Sequence, residues 1–242
     1  MNSSGPQRKI YDRIADCNAD DSLGKIFRRI PQGAKILDVG VGCGALGAMI
    51  NNKNNQQSKS NQQNNSGTSV IDGIDLDRRM LQQARPYYND LFQADIDRCP
   101  ASILGERRYD VIVLADVIEH LQYPAQALSL LSRNLQRDGK MLFSVPNVTY
   151  LGVICELASG NFRYRDEGLL DKTHLRFFSH QSLVELINDA GLAIVYEDTV
   201  EMPLEISEFK DHDASQYLNL DSLSKNPHLM TYQFIVEAVS SA

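Results

Sequence analysis

The chain has 242 residues, 43% of them hydrophobic, a net charge of −7 and an isoelectric point near 5.2. That size suits a single α/β domain spanning 1–242 with a full core, and the acidic balance, with no basic stripe, speaks against a nucleic-acid partner. No apolar run approaches the roughly 18 residues a membrane span needs. The N-terminal stretch MNSSGPQRKIYDRIADCNADD lacks the apolar centre of a signal peptide, and Cys17, Cys43, Cys99 and Cys155 form no C-x-x-C pair. Both features are those of a cytoplasmic protein with reduced thiols.

In chain order, Ile10, Ile14, Leu23, Ile26, Phe27 and Ile30 recur near helical spacing and predict a helix over 7–30, an N-terminal cap (1–33) that stops at Pro31 and Gly33. A strand follows at 34–39, then a glycine turn and a helix from Gly44. Residues 51–69, NNKNNQQSKSNQQNNSGTS, contain eleven Asn or Gln and no large apolar side chain. Such a segment buries too little to offset its ordering entropy, so the expectation is a disordered surface insertion. The second strand is 70–75 (VIDGID), with a helix over 77–86 behind it. A short strand ends at Asp95, a fourth strand covers 110–115, and Pro124 opens a helix. Asp138 and Gly139 turn into a fifth strand, KMLFSVP. A lid-like stretch, 147–179, then interrupts the alternation. Ser179 is the expected N-cap of a helix over 180–190 ending at Gly191. Strands at 192–199 and 231–239 finish the chain, separated by a polar insertion over 199–230.

Alternating strands and helices imply a doubly wound sheet with ligands at the carboxyl ends of its strands. The last two strands have no helix between them, which predicts an antiparallel final strand.

The sharpest motif is ILDVGVGCGALG at 36–47. Gly40, Gly42 and Gly44 alternate, as a tight turn needing positive φ and close ligand approach requires, and the helix behind them offers unpaired N–H groups. Gly42, Gly44 and Gly47 also satisfy the dinucleotide pattern G-x-G-x-x-G, so a nucleotide-dependent oxidoreductase is one reading. Asp38 argues against it, because a carboxylate beside the turn repels a pyrophosphate. It welcomes S-adenosylmethionine, which has no phosphate and carries a sulfonium and an ammonium. An acidic strand end followed by G-x-G-x-G resembles the first motif of class I S-adenosylmethionine-dependent methyltransferases. The resemblance implies a Rossmann-like seven-stranded sheet with an antiparallel last strand, plus the N-terminal helical cap and the lid insertions.

Asp75 ends the second strand, where an acid accepts the ribose hydroxyls in a Rossmann-type site. Asp72 is the competitor, placed mid-strand. Asp95 ends the next strand. The resemblance implies that Asp95 holds the adenine amine, that Ile96 gives its backbone N–H, and that Leu76 and Ile96 sandwich the ring. It also implies that Ala115 lies beside the methionine part of the cofactor.

The fourth strand runs into LADVIEHLQYP, where Asp116, Glu119 and His120 have the spacing of one helical face. A Glu-His pair followed by Pro124 is similar to the ubiquinone-biosynthesis O-methyltransferases. His120 is then a candidate general base. Alternatively the three residues bind a divalent cation, as Glu-x-x-Glu-His does in part of that family, with Asp116 in place of the first Glu. The stretch LLDKTHLRFFS (169–179) resembles the lid of small-metabolite, quinone-precursor and sugar methyltransferases. It supplies His174 as a second candidate base, and Asn147 stands at a strand end where its amide would orient an acceptor. Catalytic roles for Glu119, His120 and His174 follow, with no metal assigned.

Together these readings give a methyltransferase that O-methylates a small molecule, as a possible homodimer. N- or C-methylation on the same fold, or cofactor binding without turnover, stay open.

Overall fold

The computed structural model describes residues 16–60, 67–98, 103–216 and 225–241. Seven strands form one mixed sheet in the order β3-β2-β1-β4-β5-β7-β6. They are β1 (Lys35–Val39), β2 (Val70–Asp75), β3 (Leu91–Gln93), β4 (Tyr109–Ala115), β5 (Leu135–Pro146), β6 (Leu192–Glu201) and β7 (Thr231–Ser240). β1 through β5 pair in parallel, and β7 runs antiparallel to both β5 and β6. The expected antiparallel last strand is therefore present, inserted between β5 and β6.

Period-two alternation gives the sheet two apolar faces. Ile36, Val111, Val113 and Leu142 face one side and pack with α1 (Ser22–Arg29) and the start of α2 (Ala45–Ser60). Leu37, Ile112, Leu114 and Phe143 face the other and meet α4 (Pro124–Ser132) and α6 (His180–Asp189). The remaining α-helices among the described residues are α3 (Arg78–Ala84), behind β2, and α5 (Leu151–Ala158) in the lid.

The N-terminal helix is shorter than its periodicity predicts. Asp21 accepts a hydrogen bond from Gly24 N at 2.8 Å and caps α1 at Ser22, so residues 16–21 are outside the helix, while the expected portion over 7–15 lies outside the described residues. Arg29 reaches Glu237 on β7 at 2.6 Å, and Lys140 on β5 reaches the same carboxylate at 3.0 Å, fixing α1 across the sheet.

The Asn/Gln-rich stretch also departs from expectation. Residues 51–60 are not a disordered insertion; they continue α2. The buried stripe Leu46, Met49 and Ile50 is extended at helical spacing by Lys53 and Asn54. Lys53 Nζ donates to Ile30 O (3.3 Å) and lies over the Phe27 ring, while the Asn54 amide exchanges two hydrogen bonds with the Ser69 backbone. Lys53 and Asn54 are thus anchored to backbone, while Asn52, Asn55 and Gln56 face solvent. Residues 61–66 lie outside the described residues.

The lid and the 199–230 insertion share a third core. Tyr150, Leu151, Val153 and Cys155 pack with Leu169, Leu170, Leu204 and Phe209. Two segments that read separately in sequence make one cap over the end of the sheet. Helix α6 starts at Ser179 in a capping box, as expected, and Gly191 (φ 77°) ends it.

Candidate active site

The chain order reverses between the adjacent strands β1 and β4, and their carboxyl ends open the crevice where ligands bind in such sheets. The glycine turn leaves β1 there. Gly40 N and Val41 N both donate to Ile74 O, and Gly40, Gly42 and Gly44 have φ of 77°, 54° and 93°. The three have different surroundings. A Cβ on Gly40 would come within 2.6 Å of Val117 Cγ2, and one on Gly44 within 3.0 Å of Ala84, whereas one on Gly42 meets nothing within 4 Å. The turn is thus closed at both ends and open in the middle, the shape of a cradle for a ligand placed against backbone.

Asp38 sits beneath this cradle, 4% exposed. The Tyr88 hydroxyl donates to its Oδ2 at 2.6 Å and itself accepts from Gly47 N at 3.3 Å. Burial pushes the Asp38 carboxyl up to about 7, with the Tyr88 hydrogen bond opposing and the Asp75 charge adding. The acid therefore acts on the crevice through its field and through Tyr88 rather than from an open surface. Sequence reading missed Tyr88; its only signal was an aromatic residue near the end of the segment linking β2 to β3.

Asp75 stands at the rim of the turn. Its Oδ2 accepts from Gly42 N (2.9 Å) and its Oδ1 from Asp77 N (2.7 Å), joining the cradle to the start of α3. Asp72, the competitor, is buried and accepts from the Tyr109 hydroxyl at 2.9 Å. Leu76 is exposed beside Asp75, and Ile96 is half-buried against the core. The loop carrying Ile96 lies alongside, since Ala94 N donates to Asp75 O (3.1 Å). Asp95 turns its Oδ1 to Asp97 N (3.1 Å), and Ala115 is half-buried at the end of β4.

Beyond Ala115 the chain does something the spacing did not foretell. Asp116, Glu119 and His120 do not share a helical face. Asp116 takes a left-handed conformation (φ 56°), and only Ile118–His120 form a single 3-10 turn. Asp tolerates that conformation better than most residues. Its Oδ1 accepts from Ser144 Oγ at 2.7 Å and Gln233 Nε2 at 2.8 Å, which turns it toward β5 and β7. A cation site made of Asp116, Glu119 and His120 is therefore not formed.

His174 joins Glu119 and His120 instead. The two imidazole rings lie edge to face with centroids 4.8 Å apart, and His174 Nε2 is 4.0 Å from Glu119 Oε1. The lid delivers it. Leu175 N and Arg176 N both donate to Glu119 O, at 2.8 and 3.0 Å, and Thr173 is tied to Asp171. Glu119 is 1% exposed and His174 9%. Burial, with His120 beside it, lowers the His174 pKa and keeps that imidazole neutral. Because Gly40 packs against Val117, this cluster lies next to the cradle.

Asn147 is otherwise engaged. Fully buried, it donates to His228 O and Thr231 O and accepts from Thr149 N and Oγ1. Both ends of its amide hold the cap together, so it has no amide group to offer an acceptor.

The described residues contain no helix long and apolar enough to cross a membrane. A family model for a methyltransferase domain matches residues 11–197. No curated protein matches the chain. Among solved structures, an S-adenosylmethionine-dependent methyltransferase from Archaeoglobus fulgidus superposes with a TM-score of 0.57 at 17% identity, covering 89% of this chain and 91% of its own. One from Mesorhizobium loti gives 0.56 at 16%, covering 91% and 98%. Magnesium protoporphyrin IX methyltransferase from Synechocystis PCC 6803, solved with bound S-adenosylhomocysteine, gives 0.53 at 15%, covering 92% and 83%. At these identities the likeness is one of fold. The sheet order, the glycine turn and the family match define a Rossmann-like class I methyltransferase. The chain belongs to the methyltransferase-domain family.

Proposed function

We propose that this methyltransferase acts on a hydroxyl group of a small molecule. The observation that carries the reading is the convergence of Glu119, His120 and His174 beside the glycine cradle, under a cap with its own apolar core. S-adenosylmethionine supplies an activated methyl group, so the protein's task is to align the nucleophile and receive its proton. In this reading the open face at Gly42 admits the methionine part of the donor, and Asp38 below favours its positive charge. Asp75 accepts the ribose hydroxyls, Leu76 and Ile96 flank the adenine, Asp95 faces its amine, and Ala115 borders the methionine.

Glu119, His120 and His174 receive the acceptor. A hydroxyl is protonated at neutral pH and gains most from a basic group at hydrogen-bond range, and imidazole has the matching pKa. The rings Tyr164, Phe162 and Phe177 run edge to face up to His174, with centroids 5.3, 5.5 and 6.2 Å apart. They give the approach an apolar wall for the rest of the molecule.

The test is a panel of small hydroxyl compounds and their amine counterparts incubated with enzyme and S-adenosylmethionine, reading S-adenosylhomocysteine release. Turnover of hydroxyl members, lost in His120→Ala, is the expected result. Turnover confined to the amines overturns the O-methylation reading.

A further inference from the structure

We propose that Thr173, braced by Asp171, is a positioning residue that holds His120 in its Nδ1–H tautomer and so presents the Nε2 lone pair to the acceptor hydroxyl, a role that rests on the O-methylation reading above. Both oxygens of Thr173 address one imidazole nitrogen. Its carbonyl lies 3.2 Å from His120 Nδ1, and its Oγ1 stands 3.2 Å from the same atom. A carbonyl only accepts, so Nδ1 carries the proton and Nε2 the lone pair. A hydroxyl can donate as well as accept, and Asp171 removes that ambiguity. Its Oδ1 accepts from Thr173 Oγ1 at 2.6 Å, the length of a charge-assisted bond, and from Thr173 N at 2.7 Å. The hydroxyl proton is committed to the carboxylate, and Oγ1 offers His120 only lone pairs. Asp171 is 3% exposed, and a carboxylate holds its donors more tightly there than in water.

This relay from Asp171 through Thr173 to His120 has a fixed base. Lys172 N donates to Arg165 O and Arg165 N to Leu170 O, both at 2.9 Å, while Leu175 N and Arg176 N close on Glu119 O. The segment carrying Thr173 is held from both sides, and the turn carrying His120 is one of its anchors. His174 is set in the same way, with Nδ1 3.2 Å from Leu169 O. His180 and His212 do the opposite, turning Nε2 to Glu197 and Glu156 at 2.7 and 2.8 Å. The two histidines beside the cradle are thus oriented by lid oxygens on Nδ1. His120 is half-buried and His174 is buried, so His120 is the ring an acceptor reaches more readily.

In the O-methylation reading the acceptor oxygen forms the new bond to the methyl carbon. The S–CH3 bond breaks with its electrons kept by sulfur, and the hydroxyl proton passes to His120 Nε2. The imidazolium then carries a proton on both nitrogens. Its Nδ1–H keeps the bond to Thr173, and the Asp171 charge behind the hydroxyl stabilises the cation without taking a proton, as an acid behind a catalytic imidazole does. The other tautomer has a proton on Nε2 and no lone pair for the acceptor. Because Thr173 belongs to the lid, the base is competent only with the lid seated on the turn after β4.

The experiment is long-range 1H–15N NMR of the full chain, labelled at its five histidines, at about pH 8.5, above the ordinary imidazole range. His120 is assigned by the loss of its signals in His120→Ala. The wild type should show the His120 proton on Nδ1, with a proton on Nε2 of His180 and His212 as internal reference. Thr173→Val keeps the carbonyl and the shape and removes the hydroxyl. It should move the His120 tautomer ratio about 2–10-fold toward Nε2–H, the scale of one hydrogen bond. Asp171→Asn should move it the same way, and Thr173→Ser should restore the wild-type ratio. A cooperative melt checks that each variant is folded; a purely structural role for Thr173 would lower the melting temperature and leave the ratio unmoved. With a hydroxyl acceptor from the panel, Thr173→Val should lower kcat about 10-fold, a part of what a positioned proton acceptor supplies, with KM within about twofold. A wild-type His120 protonated on Nε2 alone overturns the proposal, and so does a Thr173→Val spectrum equal to that of the wild type. The spectra need no acceptor: an Nδ1–H tautomer without turnover of any hydroxyl compound overturns the O-methylation reading, whereas the opposite tautomer overturns the role of Thr173.

Discussion

Tyr88 holds Asp38 from a position fifty residues further along the chain, through a 2.6 Å hydrogen bond, and its hydroxyl simultaneously accepts from Gly47 N. One phenol therefore joins the acid at the end of β1 to the first turn of α2. Tyr88→Phe removes the donor from a buried carboxylate and the acceptor from a buried N–H. Losses of this kind cost about 1–3 kcal/mol. A lower urea midpoint, together with weaker S-adenosylhomocysteine binding, is the expected outcome; unchanged values of both would show that the brace is dispensable.

The raised pKa of Asp38 gives a pH dependence with a definite sign. Its folded value is about 7 against 3.8 for the ordinary group. The native state thus holds the extra proton between these values, and the contribution to ligand-free stability falls as pH rises through that window. Donor binding runs the other way, because the ammonium of the ligand favours the ionised acid. S-adenosylhomocysteine affinity should tighten as pH rises toward 7 and level off above it, with proton release below 7 measurable by calorimetry in buffers of different ionisation heat. Asp38→Asn should abolish that slope.

Gly42 separates folding from binding. A side chain there meets nothing within 4 Å, so Gly42→Arg costs only its left-handed backbone, about 1–2 kcal/mol. The variant should fold, with a cooperative melt, and show no thermal shift with S-adenosylhomocysteine. A retained shift would remove the cradle from the donor site. Asp75→Ala should also weaken the shift.

His120→Ala should leave the donor-induced shift intact while turnover drops by about 10²–10⁴-fold, the range for a positioned proton acceptor. Equal turnover would take His120 out of the chemistry.

The cap has its own acid-sensitive fastening. Glu156 is 1% exposed at the side chain and receives His212 Nε2 at 2.8 Å, Arg163 N at 3.2 Å and Arg165 at 3.4 Å. Burial alone would raise its pKa, but these partners, led by His212, hold it below the ordinary 4.5. The resulting stability is present above about pH 4.5 and is lost as pH falls through the depressed value. Hydrogen exchange in 204–216 should therefore speed up in acid relative to the sheet strands. Glu156→Gln should make that segment exchange faster at neutral pH as well.

The parts of this fold that sequence revealed are those governed by local chemistry. The positive-φ glycines and the Ser179 cap answer to residues a few positions away, and the strand-end acids are legible because each closes a predicted strand. What stayed hidden depends on distant partners. Tyr88 becomes meaningful only when the sheet brings it under Asp38. Asn147 reads as a site residue until Thr149, His228 and Thr231 are seen around it. The i, i+3, i+4 spacing of Asp116, Glu119 and His120 failed because Ser144 and Gln233 draw Asp116 out of helical geometry. The polar run over 51–60 misled for the opposite reason: its composition says loop, but Lys53 and Asn54 find backbone partners on the inner face of α2.

The carbonyl of Glu119 accepts the amides of both Leu175 and Arg176. Segment 171–178 and the turn after β4 are thus a single stitched piece, and a change in one is transmitted to the other. The stretch between α5 and Leu169 carries no such stitch to the turn. A designer wishing to change which molecule is methylated should exchange 159–168 and keep everything from Leu169 to Phe178. Chimeras cut inside that second block should lose activity toward every acceptor, old and new alike.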